Sequence, residues 1–297
     1  MSFWQRKIDF SFRGWLVASL FLAAIIITWT AILGSSAKKA PLRCRAGFVA
    51  QAARCCAPGQ TVAEGYCIGA PLRCPKPYRR DLNGCVLAPT RITVDASSVS
   101  LGPTDWDSTE LSRKVTYTVR TFSMDQAEVD YDRYAGCVKA GLCPNLPAPV
   151  EPGIPVTGLS AKEAARFCSF AGGRLPTVAE WMVAAAGNEA RRFPWGPHGL
   201  VCRRASYGLS SGPCAVGGTR PELPGMRWEG RTPSGFVDLA GNVAEWVVDE
   251  DGQPSLRGGS FRSKTASELK TWAISSPHNM DDVGFRCSYD VQRSARN

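Results

Sequence analysis

Phe236-Val-Asp-Leu-Ala-Gly-Asn-Val-Ala-Glu-Trp246 is the stretch from which the rest of the chain is most readily read. Asp238 and Glu245 flank a Gly241-Asn242 turn, and Trp246 follows directly. A hard cation such as calcium takes oxygen ligands only. An Asp carboxylate, main-chain carbonyls aimed inward by the Gly241 turn and Glu245 closing from the far side would supply them. The same residues also read as a buried, acid-capped turn whose Trp belongs to the core, with Glu245 paired to a buried Arg such as Arg257 or Arg286. Taken alone, the stretch leaves both readings open.

Other blocks accompany it in a fixed order. Gly172-Gly-Arg-Leu-Pro-Thr-Val-Ala-Glu-Trp181 and Arg192-Phe-Pro-Trp-Gly196 lie upstream, Leu256-Arg-Gly-Gly-Ser-Phe261 and Gly284-Phe-Arg-Cys287 downstream. From about Ile92 to Cys287 this set resembles the formylglycine-generating-enzyme, or sulfatase-modifying factor, family. The resemblance implies an α+β fold over residues 89–289, an irregular, loop-rich variant of the C-type-lectin fold. In the family's enzymes two cysteines beyond the Arg-Gly-Gly-Ser block bind copper(I), activate oxygen and convert a substrate cysteine to formylglycine. Copper(I) is a soft cation that prefers thiolates. Here those positions fall at Ser263 and Glu268, so the resemblance carries over no catalytic residue and no copper is expected.

The resemblance also implies structural calcium, with Asp238 and Glu245 as side-chain ligands and the carbonyls of Gly241 and Val243 as main-chain ones. A second family calcium position, an Asn after an Ala, is here Ser206 after Ala205, a departure. A Cys168–Cys287 disulfide is implied in the same way, which leaves Cys202 and Cys214 for each other. Cys137 and Cys143, around Gly141, are spaced for a local disulfide loop. Ser263, His278 and Asp281 or Asp282 contain the residue types of a hydrolytic set, but nothing in their spacing supports one.

Composition bounds the rest. Of 297 residues, 44% are hydrophobic and 21% charged, as in an ordinary globular protein. The net charge of +9 is scattered, with no basic stripe interleaved with aromatics, so nucleic acid is not an expected partner. With only His198 and His278 in the chain, a histidine-rich metal centre is excluded. Residues 1–13 are polar and basic, and 14–34 carry no charge. About 20 apolar residues span a ~30 Å hydrocarbon core, so this segment reads as a transmembrane helix. Ser35-Ser-Ala37 keeps a cleaved signal peptide as the alternative. All twelve cysteines follow it, which places the body in an oxidising compartment: a cytoplasmic tail, a single pass of a bacterial-type inner membrane, and the body in the periplasm or outside the cell.

Residues 40–88 hold six cysteines: Cys44, Cys55, Cys56, Cys67, Cys74 and Cys85. Disulfides are the expected source of stability for so short a module, whose pairing the sequence leaves open. Pro41-Leu-Arg-Cys44 recurs as Pro71-Leu-Arg-Cys74, a hint of duplication. The module reads as a stiff spacer, or else as a recognition unit. Beyond it, alternation from Ile92 to Leu101 predicts one strand and Val115–Phe122 another, with helical spacing over Met124–Tyr134. Capping boxes at Ser160/Glu163 and Thr177/Glu180 open two helices joined by Gly-Gly-Arg-Leu-Pro. Residues 290–297 are a tail.

Two functions stand on this basis. The first is a membrane-anchored, outward-facing binding or assembly protein on a catalytically degenerate domain, with a protein or peptide partner at the loop-rich face. The alternative is a superfamily oxidoreductase with an altered active site acting on a peptide or small thiol.

Overall fold

The computed structural model describes residues 42–291, apart from 64, 82–83, 102–114, 147–150, 198, 200–201 and 277–278. The expected tail 1–13, the expected membrane helix 14–34 and residues 292–297 lie outside the described residues. Among the described residues no helix is long and apolar enough to cross a membrane.

Three short antiparallel hairpins come first. They are β1 (Val49–Gln51) with β2 (Arg54–Cys56), β3 (Thr61–Ala63) with β4 (Tyr66–Ile68), and β5 (Tyr78–Asp81) with β6 (Gly84–Leu87). Disulfides join Cys44–Cys55, Cys56–Cys67 and Cys74–Cys85, each across a separation of 11 residues. The duplicated Pro-Leu-Arg-Cys thus opens two equivalent disulfide-closed hairpins. Phe48 and Tyr78, which occupy equivalent places in them, meet edge to face with ring centroids 5.1 Å apart.

A stiff spacer would stand clear of the domain, whereas this module is docked on it. Phe48, Tyr78 and Leu87 share a core cluster with Met226 and Val237. Arg54 donates to the Pro221 carbonyl at 2.6 Å and to Glu151 at 2.8 Å. Tyr78 Oη donates to the Pro224 carbonyl at 2.7 Å. Arg45 donates to the Gly225 carbonyl at 3.0 Å, its guanidinium lying 5.4 Å from the Tyr78 ring and 4.6 Å from that of Trp228. Fewer than 50 residues bury little surface by themselves, and the domain supplies the missing apolar partners.

The expected strand over Ile92–Leu101 is two strands in different sheets. β7 (Arg91–Val94) pairs with β10 (Phe122–Asp125), whereas β8 (Ser97–Leu101) pairs with β9 (Val115–Val119). The apolar alternation changes parity between Val94 and Val99, so one continuous strand would turn Val99 and Leu101 away from the core. The helix expected from Met124 also starts later. Met124 and Asp125 belong to β10, which pairs on its other side with β14 (Ser288–Asp290). The Asp125 amide donates to the Cys287 carbonyl at 2.9 Å, a partner that a helix would have denied it. α1 (Tyr131–Lys139) begins only where Asp130 accepts from the Arg133 amide as N-cap.

α2 (Ala161–Phe170) and α3 (Val178–Ala186) open with the two expected capping boxes, at Ser160/Glu163 and Thr177/Glu180. α3 is buried along almost its whole length, as befits a helix apolar on every side. Its Trp181 and Met182 pack with Val99, Leu101 and Val119 of the β8–β9 hairpin. α1 and α2 pack through Tyr134 and Phe167 onto Phe285. A third sheet, β12 (Pro254–Arg257), β11 (Ala244–Val248) and β13 (Val283–Gly284), carries the turn that ends at Trp246. Small helices, small sheets and long loops make up the α+β domain.

Candidate functional site

The 236–246 turn leads into β11 through left-handed backbone at Asp238 (φ 56°), Gly241 (φ 84°) and Asn242 (φ 61°). A Cβ on Gly241 would collide with the Ser206 carbonyl oxygen, so only glycine fits there. Asn242 accepts from the Glu222 amide at 2.8 Å and donates to Glu128 at 3.1 Å and to the Glu222 carbonyl at 3.2 Å. An Asn can occupy the strained position because its amide satisfies these three groups.

The turn brings Asp238, Gly241, Val243 and Glu245 into one buried segment. The two carboxylates, however, already have protein partners. Glu245 Oε2 accepts from Trp181 Nε1 at 2.8 Å and from Arg286 Nε at 2.8 Å, and its Oε1 accepts from Arg286 Nη2 at 2.6 Å. Asp238 accepts from the Gly225 amide. A calcium ion on Glu245 would share that carboxylate with a guanidinium already in contact with both oxygens. Among the described residues no group of three or more His, Cys, Asp or Glu is arranged to hold a metal ion. Arg286 thus already places a positive charge on Glu245.

Sequence reasoning did not identify the network around this pair. Arg286 also donates to the carbonyls of Asp125, Gln126 and Val237 at 3.2, 2.8 and 2.9 Å, tying β10, β11 and the turn together. Glu128 lies beside Asp238, and its Oε2 makes no hydrogen bond. Burial first, then the Asp238 charge, pushes Glu128 well above the usual carboxylate range. Asp238 itself is raised to about 6, mainly by burial. Glu222 behaves oppositely: burial raises it, but Arg227, at 2.7 Å from each oxygen, together with Ser206 and Arg54 outweighs burial and holds it low. Ser206, at the second calcium position of the resemblance, donates to Glu222 and so belongs to this ion pair.

Ser263 and Glu268, which the resemblance sets at the cysteine positions, lie on the 260–269 loop. Ser263 is buried, and its Oγ accepts from the Ser260 amide at 3.0 Å. Glu268 Oε1 accepts from the amides of Lys264 at 3.0 Å and Thr265 at 2.9 Å, and from Thr265 Oγ1 at 2.7 Å. Burial raises the Glu268 carboxyl, but the hydrogen bonds from Thr265, Lys264 and Ser263 outweigh it and lower it overall. The two residues therefore close their own loop. No hydrolytic set assembles around Ser263 either. Asp281 pairs with Arg262 at 2.6 Å, Asp282 accepts from Ser260 Oγ at 2.8 Å, and His278 lies outside the described residues.

Cys168–Cys287, Cys137–Cys143 and Cys202–Cys214 are bonded, and with the three module bridges they leave no free cysteine. Beside the loop, a cleft of about 300 Å³ lies between the module and the domain, lined by Tyr66, Tyr131, Glu151, Arg220, Arg262 and Asp281 among others.

Residues 83–291 match the Sulfatase-modifying factor enzyme 1-like domain. A Mus musculus protein named inactive C-alpha-formylglycine-generating enzyme 2 is similar over 156 residues at 29% identity, covering 47% of this chain and 50% of that protein. The formylglycine-generating enzyme of Mycobacterium tuberculosis is 33% identical over 109 residues, covering 33% of this chain and 34% of the enzyme. The chain thus spans about half or less of the length of these relatives. The structure of PvdO from Pseudomonas aeruginosa superposes with a TM-score of 0.53 at 18% identity, over 74% of this chain and 100% of that one, a likeness of fold.

Proposed function

The chain belongs to the family of sulfatase-modifying factor enzyme 1-like domains, and from that premise we propose that it is a binding or assembly protein rather than a formylglycine generator. The carrying observation is the pair Ser263 and Glu268. Where the family's enzymes hold copper(I) between thiolates, this chain has a hydroxyl and a carboxylate that accept hydrogen bonds from their own loop. Neither is a ligand a soft cation prefers, and the twelve cysteines are all in disulfides, so no other thiolate replaces them. The partner, a protein or peptide, meets the loop-rich face beside residues 260–269.

The proposal includes a location. Residues 14–34 anchor the chain in a membrane of bacterial inner-membrane type, residues 1–13 stay in the cytoplasm, and the body faces the oxidising side. The disulfides support that orientation, since they persist in oxidising compartments.

Incubating the purified full chain with a sulfatase-type cysteine peptide and copper(I) tests the premise on catalysis. Mass spectrometry should find no aldehyde above a protein-free control. Aldehyde formation would overturn the reading.

A further inference from the structure

The cleft between the module and the domain has a charge balance that points to a ligand class. Its acids are already paired. Glu151 takes Arg54 Nη2 on one oxygen at 2.8 Å and the Cys67 amide on the other at 3.3 Å. Asp281 takes Arg262 at 2.6 Å. Arg220 is the remaining charge. Its guanidinium lies over the Tyr66 ring, 3.9 Å from the centroid, and has no hydrogen-bond acceptor among the described residues. Stacking on an aromatic face orients a guanidinium and leaves its edge of N–H donors free. That edge is shaped for the two oxygens of a planar carboxylate.

We propose that this cleft binds a carboxylate-bearing ligand, with Arg220 as the anion-binding residue and Tyr66 of the disulfide module as its positioning residue. This rests on the binding role given above and names the chemistry that role recognises. With the two pairs neutral, the cleft has one surplus positive charge. A monocarboxylate matches it, whereas a phosphate dianion would face the nearby carboxylates of Glu151 and Asp281 with only one charge to offset its own. Apolar contact comes from Tyr131, Ile154 and Pro155. At about 300 Å³ the cleft admits a small molecule or the carboxylate end of a peptide rather than a folded surface. Because Tyr66 comes from the hairpin module and Arg220 from the domain, docking of the module completes the site. The module is then part of ligand recognition.

The test uses the full chain in detergent and three probes: N-acetyl-L-phenylalanine, its uncharged amide, and inorganic phosphate. Saturation-transfer NMR should report contact for the acid and none for the amide, and competition should show phosphate to be the weaker ligand. Arg220→Gln should abolish the signal. Arg220→Lys keeps the charge but loses the fork and should bind at least about tenfold more weakly. Tyr66→Phe keeps the stacking face and should bind as wild type, and Tyr66→Ala should not. Equal signals for acid and amide, phosphate binding as tightly as the acid, or unchanged binding in both Arg220 variants would overturn the site. Loss of this site in a protein that still makes no formylglycine leaves the binding role standing, whereas aldehyde formation removes the role itself.

Discussion

Glu245 on β11 and Arg286 beside β14 form a bidentate ion pair in which neither side chain reaches water, with 1% and 0% of their surfaces exposed. Removing one member strands a buried charge, a loss of about 3–5 kcal/mol. Glu245→Ala should therefore lower the melting temperature sharply, and Glu245→Gln, which still accepts from Trp181, should do so less. Chelation of divalent ions should leave the wild-type melting curve unchanged. A fall on adding chelator that disappears in Asp238→Ala would place calcium in the turn.

The Arg54–Glu151 pair makes a similar link between the module and the domain, with side-chain exposures of 6% and 8%. Arg54→Ala takes from buried Glu151 its hydrogen-bonded counter-charge, with only Arg220 left to offset it, and also releases the Pro221 carbonyl. The expected cost is again about 3–5 kcal/mol. Because the module's disulfides remain, the failure should show as undocking. Amide exchange should rise across 221–226 before it rises in α3. The apolar double variant Arg54→Met/Glu151→Leu should recover most of the loss; a double variant no better than the single would count against a docking role.

What the sequence revealed was mostly local. The boxes at Ser160/Glu163 and Thr177/Glu180 were legible because a cap and its partner are three residues apart and need no other element. The strand character of Met124 and Asp125 was not legible, because it depends on pairing with Ser288 and the Cys287 carbonyl far along the chain. The same holds for Glu245: both its acidity and its burial could be read, but choosing between a cation and Arg286 required the fold. The module's bridges lie between these cases. The repeated Pro-Leu-Arg-Cys hinted at two like units but left their pairing open, and nothing local showed that Tyr66 would meet Arg220.

Asp130 caps α1 while itself buried. Burial, only partly offset by the Arg133 amide, raises its carboxyl to about 6 from 3.8. A folded-state pKa above the unfolded one means that the folded protein binds the extra proton. Stability from this group is thus full below about pH 4 and is lost as pH rises through 6. Asp130→Thr keeps a capping oxygen and removes the charge. It should match wild type near pH 4 and exceed it at pH 7, by at most on the order of 2–3 kcal/mol. Urea melts at the two pH values give the comparison, and a variant less stable than wild type at pH 7 would refute it.

Residues 260–269 are held by hydrogen bonds to their own side chains. Glu268 holds two amides and a hydroxyl of residues 264 and 265, and Ser263 holds the Ser260 amide. This loop is therefore ordered by its own side chains. Glu268 is held below its ordinary value of 4.5, so its contribution is present at neutral pH and fades as pH falls through the acidic carboxylate range. Glu268→Gln keeps the shape, retains one carbonyl acceptor and should remove that acid-side dependence. Glu268→Ala frees the amides to solvent, which should speed hydrogen exchange at 264 and 265. Global stability should fall only modestly, by about 0.5–1.5 kcal/mol, because water can replace these bonds. If exchange at 264 and 265 is as fast in the wild type as in Glu268→Ala, the carboxylate does not order the loop.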